Sequence, residues 1–264
     1  MQDLYIIKVG GSVCTKKSEN KFEACVEAIE RVVEDIRKAR ELKKFSLILV
    51  HGAGPFGHTN VVNYGINDGI HTEQHVHGFI KTHLAMASLN AHFLNAFEKA
   101  GIPAITLDPT ACIIQKNKKI WAFDTRMFDL LFAMNPNIIP IMHGDMVLDT
   151  KLKGSVVSGD AIIPYLAKKL GAKKVLLGSN VAGIFTADPT RNKGAERIPL
   201  VDKKNYKKIL KSIGKVSTVD VTRGMKGKLE NLRGLNAFIF DMNETNSTFK
   251  ALVGEKVEGT IIRL

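Results

Sequence analysis

Apolar and polar positions along the chain follow two periods. Short unbroken apolar runs mark buried strands, and stretches with an apolar residue every three or four positions mark amphipathic helices. Leu4-Tyr5-Ile6-Ile7 predicts the first strand, which runs into Lys8-Val9-Gly10-Gly11-Ser12. Phe22 to Lys44 predicts a helix, with Val26, Ile29, Val33 and Ile36 at helical spacing. Ser46 to Val50 is a buried strand that delivers His51-Gly52-Ala53-Gly54-Pro55-Phe56-Gly57-His58. A long helix is expected from about Gly78 to Ala100, stopped by Gly101 and Pro103. Ile138 to Met142 predicts a strand ending in His143-Gly144-Asp145.

The second half has the same style. Val156-Val157-Ser158-Gly159-Asp160 opens a helix through Lys169 that Gly171 stops, and Lys174 to Leu177 is a strand ending at Gly178. Val219 to Met225 leads into a helix through Leu232, and Ala237 to Phe240 and Gly259 to Ile262 close the chain as strands. Alternating strands and helices predict an α/β fold with a largely parallel central sheet. No low-complexity linker divides the 264 residues, so two lobes, if present, share one continuous sheet.

Composition narrows the picture. Apolar residues make up 45% of the chain, and no run approaches the roughly 18 apolar residues of a membrane span. The chain reads straight into a strand, so no signal peptide is expected. Cys14, Cys25 and Cys112 are scattered without paired spacing, which suggests a reducing cytoplasm. The formal charge of +12 fits nucleic acid or acidic small molecules. The lysines come in short dispersed pairs rather than one stripe, and aromatics are only 7%, so acidic substrates are expected and nucleic acid is not.

The candidate chemistry sits in loops at the carboxyl ends of predicted strands, where open α/β sheets bind ligands. Gly10 and Gly11 let backbone N–H groups approach an anion without Cβ interference, and Lys8 and Lys17 add two charges. Gly52, Gly54 and Gly57 formally match the G-x-G-x-x-G dinucleotide fingerprint. That motif wants an acidic residue at the end of the next strand, whereas Asp68 and Glu73 stand in a polar stretch. The loop therefore reads as an anion cradle without NAD. His58 is placed to donate to a phosphate, or else is a structural histidine, and His51, directly after a buried strand, reads as structural. His71, His75 and His77, with His83 beyond, have no cysteine beside them, and no metal centre is expected there. Asp145 and Asp160 each follow a glycine after a strand; such carboxylates orient lysines, hold Mg2+ through water, or cap a helix. No P-loop motif is present, Cys14 reads as incidental, and Lys228 lies one turn into a predicted helix.

Together these loops resemble the amino acid kinase superfamily, and within it the isopentenyl phosphate kinase branch. The carrying residues are Lys8-x-Gly-Gly-Ser12 with Lys17, Gly52 to His58, His143-Gly-Asp145, Ser158-Gly-Asp160, Gly178 to Gly183, Asp220 to Met225 with Lys228, and Val257 to Thr260. The resemblance implies a three-layer α/β/α sandwich as one domain over residues 1–264, binding acceptor in about 1–150 and nucleotide in about 151–264. It implies a cytoplasmic homodimer that uses ATP and Mg2+ to convert isopentenyl phosphate to isopentenyl diphosphate for isoprenoid biosynthesis by a mevalonate route.

By the same resemblance Lys8, Lys17 and Lys228 stabilise the transferring phosphoryl group, Asp160 orients lysines, and His58 holds the acceptor phosphate. Gly52, Ala53, Gly57, Asp145 and Gly159 complete the acceptor side. Gly10, Gly11, Ser12, Gly54, Ser179, Asn180, Gly183 and Gly224 join Lys8 and Lys228 around the nucleotide. Tyr64, Phe79, Ile80, His83 and Met86 are candidates for the acceptor's apolar tail, or a core stripe. Two departures stand out: Ser179-Asn180-Val181-Ala182-Gly183 replaces the family's Thr-Asp-Val-Asp-Gly, and Arg223-Gly224 replaces Gly-Gly. They leave room for a fosfomycin kinase or a non-catalytic nucleotide-binding relative.

Overall fold

The computed structural model describes residues 2–16, 22–187, 189, 192–215, 227 and 229–264, without the side chains of 212–215. Lys17, Asp220, Arg223, Gly224 and Lys228, singled out above, lie outside the described residues.

The first half contributes strands β1 (Leu4–Val9), β2 (Ser46–His51), β3 (Ala104–Thr106), β4 (Ile113–Lys116), β5 (Lys119–Phe123), β6 (Ile139–His143) and β7 (Asp145–Asp149). The second adds β8 (Lys153–Val157), β9 (Lys174–Ser179), β10 (Ile184–Phe185), β11 (Arg197–Ile198), β12 (Leu200–Asp202), β13 (Asn236–Asp241) and β14 (Gly259–Arg263). The helices are α1 (Gly11–Cys14), α2 (Val26–Leu42), α3 (Gly54–Asn63), α4 (Glu73–Lys99), α5 (Pro109–Cys112), α6 (Arg126–Met134), α7 (Gly159–Leu170) and α8 (Tyr206–Lys215), before a closing helix Ser247–Val253.

Eight strands form the main sheet in the order β12-β14-β13-β9-β1-β2-β6-β3. β1 runs parallel to β2 on one side and β9 on the other, so the first strand of the chain is central. β14 runs antiparallel to β13, and β12 pairs parallel with β14, so these two strands at one edge run opposite to the other six. Burial on both faces explains why β1 reads as a continuous apolar run. Tyr5, Ile7 and Val9 face a core built with Ile29, Val33 and Ile36 of α2 and Leu89 and Phe93 of α4. Ile6 faces the opposite core, with Ile162, Ile163 and Leu166 of α7. The result is the expected three-layer sandwich. Lys8 alternates to the side of Ile6, toward α7.

The structure adjusts the expected elements in three places. α2 begins at Val26 rather than Phe22, because Ala24 bridges back to Thr15 and Phe22 packs its ring on Phe56 at 5.4 Å. α4 begins at Glu73, five residues before the expected start, capped by the Thr72 side chain accepting from the His75 N–H. The loop after β2 becomes α3, with Pro55 in its first turn, where its missing N–H costs nothing. Four short strands not foreseen, in the order β5-β4-β7-β8, make a second sheet. Its β4–β5 turn holds Asn117 and Lys118 at positive φ, and Asp149 accepts both of their N–H groups at 3.0 and 2.8 Å.

Candidate active site

Three loops meet backbone to backbone at the carboxyl ends of β1, β2 and β9. The Gly10 N–H donates to the Gly178 carbonyl at 3.1 Å, and the Gly52 N–H to the Val9 carbonyl at 2.8 Å. A Cβ on Gly11 would stand 2.5 Å from the Gly54 nitrogen, and one on Gly52 2.5 Å from the Gly11 nitrogen. Neither position tolerates a side chain while the loops stay in contact. The glycines thus bring the loops after β1 and β2 into direct backbone contact.

The chemistry beside these loops comes from Lys8 and α7. Lys8 is buried, and its Nζ donates to Asp160 Oδ1 at 2.6 Å. The two residues are 152 positions apart and meet because β1 and α7 pack directly. Ser158 is the N-cap of α7 and its hydroxyl does not cap the helix, so Asp160 is inside the first turn rather than in the capping role. Gly159 lies against β2, with room for a Cβ only 3.2 Å from Val50 Cγ1. The first N–H groups of α7 and the positive end of its dipole therefore face the region of Lys8. Asp160 is the carboxylate beside Lys8, and Lys8 already engages it. That donor set suits Mg2+ carried in on nucleotide phosphates with its own waters, rather than held in a protein cage.

The remaining expected residues divide. His58 is exposed on α3 and accessible to a ligand. Gly57 serves packing: a Cβ there would lie 2.6 Å from Ala53 Cβ and 3.5 Å from Met86 Sδ of α4. Gly54 takes φ +50° at the start of α3. Ser12 Oγ donates to Asn180 Oδ1 at 3.1 Å, tying the first glycine loop to the segment after β9. Gly183, at φ +113°, makes room for Thr260, whose hydroxyl accepts from the Ile184 N–H at 2.8 Å.

Asp145, expected on the acceptor side, is buried. Its side chain is 0% exposed, and both oxygens are taken. Oδ1 accepts from the Met146 N–H at 2.7 Å, while His83 Nδ1 and the Thr110 hydroxyl contact Oδ2 at 2.8 and 3.3 Å. The residue continues into β7 instead of opening a helix, so its carboxylate turns inward. Hydrogen bonding to Asp145 raises the His83 pKa above its ordinary value. Seven residues along α4, Asn90 makes a matching contact, its Oδ1 3.3 Å from His51 Nε2 and its Nδ2 donating to Thr106. Burial pushes His51 down to about 3, so it is neutral, as the structural reading of that residue required. These two polar clamps, two helical turns apart, fix α4 to the sheet edge on either side of Met86.

Among the described residues, one trio of metal-type donors exists: His83, Asp108 and Asp145, with ligand atoms within 4.8 Å of one another. His71, His75 and His77 form no such group; His71 and His75 bond within their own loop and helix start. Of the tail candidates, Tyr64 and Phe79 pack with Ile66, Ile70 and Met146 in a small apolar cluster. Met86 is wholly buried and Ile80 is exposed. Cys14, below the first glycine loop, is buried, and its thiol is pushed up to about 12.

The chain belongs to the amino acid kinase family, whose model matches residues 3–234. It is similar to the isopentenyl phosphate kinase of Methanocaldococcus jannaschii, at 35% identity over 98% of both chains. The enzyme of that name from Methanothermobacter thermautotrophicus is 32% identical over the same shares. A crystal structure of isopentenyl phosphate kinase superposes with a TM-score of 0.83 at 30% identity, covering 98% of this chain and all of the other.

Proposed function

We propose that this chain is a kinase that transfers the γ-phosphoryl group of ATP to isopentenyl phosphate, giving isopentenyl diphosphate. The observation that carries the mechanism is Lys8, held on Asp160 at 2.6 Å beside touching glycine loops and the α7 N-terminus. A phosphate monoester is largely dianionic near neutral pH, with a second pKa of about 6. Its oxygen is already a nucleophile, so the site needs no general base. The barrier is the approach of two polyanions and the charge spread over the transferring group. Lys8 answers both, and Asp160 keeps its ammonium aimed.

His58 donates to the acceptor phosphate, assisted by backbone N–H groups of Ala53, Gly54 and Gly159. The segments bearing Ser12, Asn180 and Gly183 hold the nucleotide, and Lys17 and Lys228 add charge from outside the described residues. Mg2+ would arrive on the nucleotide phosphates beside Asp160 and would supply charge neutralisation there. The apolar cluster of Tyr64, Phe79, Ile66, Ile70 and Met146 favours an alkenyl tail over the small polar body of fosfomycin. The acceptor belongs to the half through about residue 150 and the nucleotide to the rest, in one domain. The working enzyme is a cytoplasmic homodimer; no helix among the described residues is long and apolar enough to cross a membrane.

The test is ADP release with Mg2+-ATP against isopentenyl phosphate, dimethylallyl phosphate, longer prenyl phosphates, fosfomycin and carbamate. Turnover concentrated on the five-carbon phosphates is expected. Silence on those two, with turnover on fosfomycin or on nothing, refutes the assignment.

A further inference from the structure

A second cavity of about 480 Å³ opens on the side of the four-stranded sheet that faces α7. Its size falls within the usual range for small-molecule sites. One wall is the β4–β5 hairpin, with Gln115, Lys118, Lys119 and Ile120; the other is Ala161, Pro164, Tyr165 and Lys168 of α7. Those four α7 positions recur at i, i+3, i+4 and i+7, so one helix face lines the space. Val156, Ser158 and Asn231 complete it.

The lining is one-sided in charge. Among the described residues it holds three lysines and no carboxylate. Lys118 is partly committed, donating to Asp68 at 2.9 Å. No ion pair engages Lys119 or Lys168 among the described residues. Ser158, which as an N-cap would normally turn its hydroxyl onto the helix, leaves it uncapped and beside the cavity. Between the basic groups lie Ile120, Val156, Ala161 and Pro164, an apolar floor.

The lysine side is also rigid. Asp149 fixes the hairpin turn at Asn117 and Lys118, Ser155 bonds the Gln115 amide at 2.5 Å, and Phe123 stacks on Tyr165 at 5.3 Å.

We infer that this cavity is a separate binding site for a small phosphate or diphosphate ester with a short apolar group. Charge complementarity selects the head, and the apolar floor selects the body. The site is distinct from the transfer site: His58 and the Gly52–Gly57 loop are absent from its lining. Among the described residues the cavity comes nearest the transfer site at Ser158, one residue before Gly159 and two before the partner of Lys8.

The experiment is calorimetric titration of the full chain with isopentenyl phosphate, and separately with inorganic pyrophosphate, in the presence of a non-hydrolysable ATP analogue. Two equivalents of isopentenyl phosphate are expected, and pyrophosphate should compete at the cavity. In the double variant Lys119→Gln, Lys168→Gln one of the two affinities falls about tenfold or more, with turnover at low acceptor concentration unchanged. Ala161→Phe, which fills the floor, removes the same equivalent. His58→Ala weakens only the other. Trp121, the sole tryptophan and 62% exposed beside Ile120, reports cavity binding by its fluorescence. A single equivalent in the unmodified chain, or two that survive both cavity variants, overturns the inference. Neither result touches the transfer reaction, which the acceptor panel tests by itself.

Discussion

Gly144-Asp145 and Gly159-Asp160 look alike in the sequence, each a glycine and an aspartate at the end of an apolar run. The folded chain treats them differently. After Gly159 the backbone coils into α7, leaving Asp160 27% exposed at the side chain and bonded to Lys8. After Gly144 it stays extended as β7, and Asp145 is sealed against His83 and Thr110. A helix start turns its N–H groups and an acidic side chain toward the ligand edge; a strand alternates its side chains, and this one alternates inward. The same dipeptide yields an ion pair with Lys8 in one place and a buried contact with His83 in the other.

That contrast is sharpest at Lys8. Lys8→Ala should lower kcat by about 10²- to 10³-fold, as for loss of one preorganised charge at the transition state. Unchanged kcat in steady-state assays would refute the role. Asp160→Asn should fall between that variant and the parent, because the lysine remains but loses its aim.

His58→Ala should act on binding: acceptor KM rises about tenfold to a hundredfold, the loss of one charge-assisted hydrogen bond, while kcat is kept. Turnover lost at constant acceptor KM would move His58 from the acceptor phosphate to the transferring group.

Asp145→Ala should show the opposite profile from Asp160→Asn. The expected loss is about 2 kcal/mol of stability, read from urea unfolding, since a buried N–H and two side chains lose their acceptor. If Asp145→Ala instead keeps stability and abolishes turnover, Asp145 belongs to the chemistry after all.

The smallest effect is a pH dependence with two signs. His83 has a folded pKa raised above 6.5, chiefly by its hydrogen bond to Asp145. Its contribution is complete below the unfolded value and fades as pH rises through the folded one. His51 is buried and pushed down to about 3 from 6.5. Its contribution is present above pH 6.5 and is lost as pH falls toward 3. The urea midpoint of His83→Asn, which keeps a donor near the Nδ1 position, should lose the alkaline-side slope and retain the acid-side one. An unaltered alkaline slope would show that another group sets it.

Much of the scaffold was legible because parallel strands buried on both faces are apolar through their centres, as Tyr5 to Ile7, Leu47 to Val50, Ile139 to Met142 and Val175 to Leu177 are. The second sheet was not. Its strands are short, alternate buried with exposed, and carry lysines at Lys116 and Lys119. α3 was hidden by its glycines, although Pro55 after Gly54 is a helix-start signal. The first turn of α4 was hidden by His75 and His77. At the site, the glycine loops and Lys8 could be read locally, but the Lys8–Asp160 contact spans 152 positions and no spacing rule reaches that far. Burial of Asp145 was foreshadowed by Met146-Val147-Leu148, an apolar run typical of a strand. Its partner His83, 62 positions earlier, was beyond local reading.

The interleaved strand order has a consequence for the chain as it is made. β1 emerges first, yet one flank stays open until β9 has been synthesised. At 5–20 residues per second, the 152 positions from Lys8 to Asp160 take on the order of ten to thirty seconds. During that time the ribosome-bound segment carries an open, largely apolar strand edge of the kind that pairs with other chains. Holding that edge until the second half arrives is a task for a chaperone, and the lysine must wait as long for its aspartate.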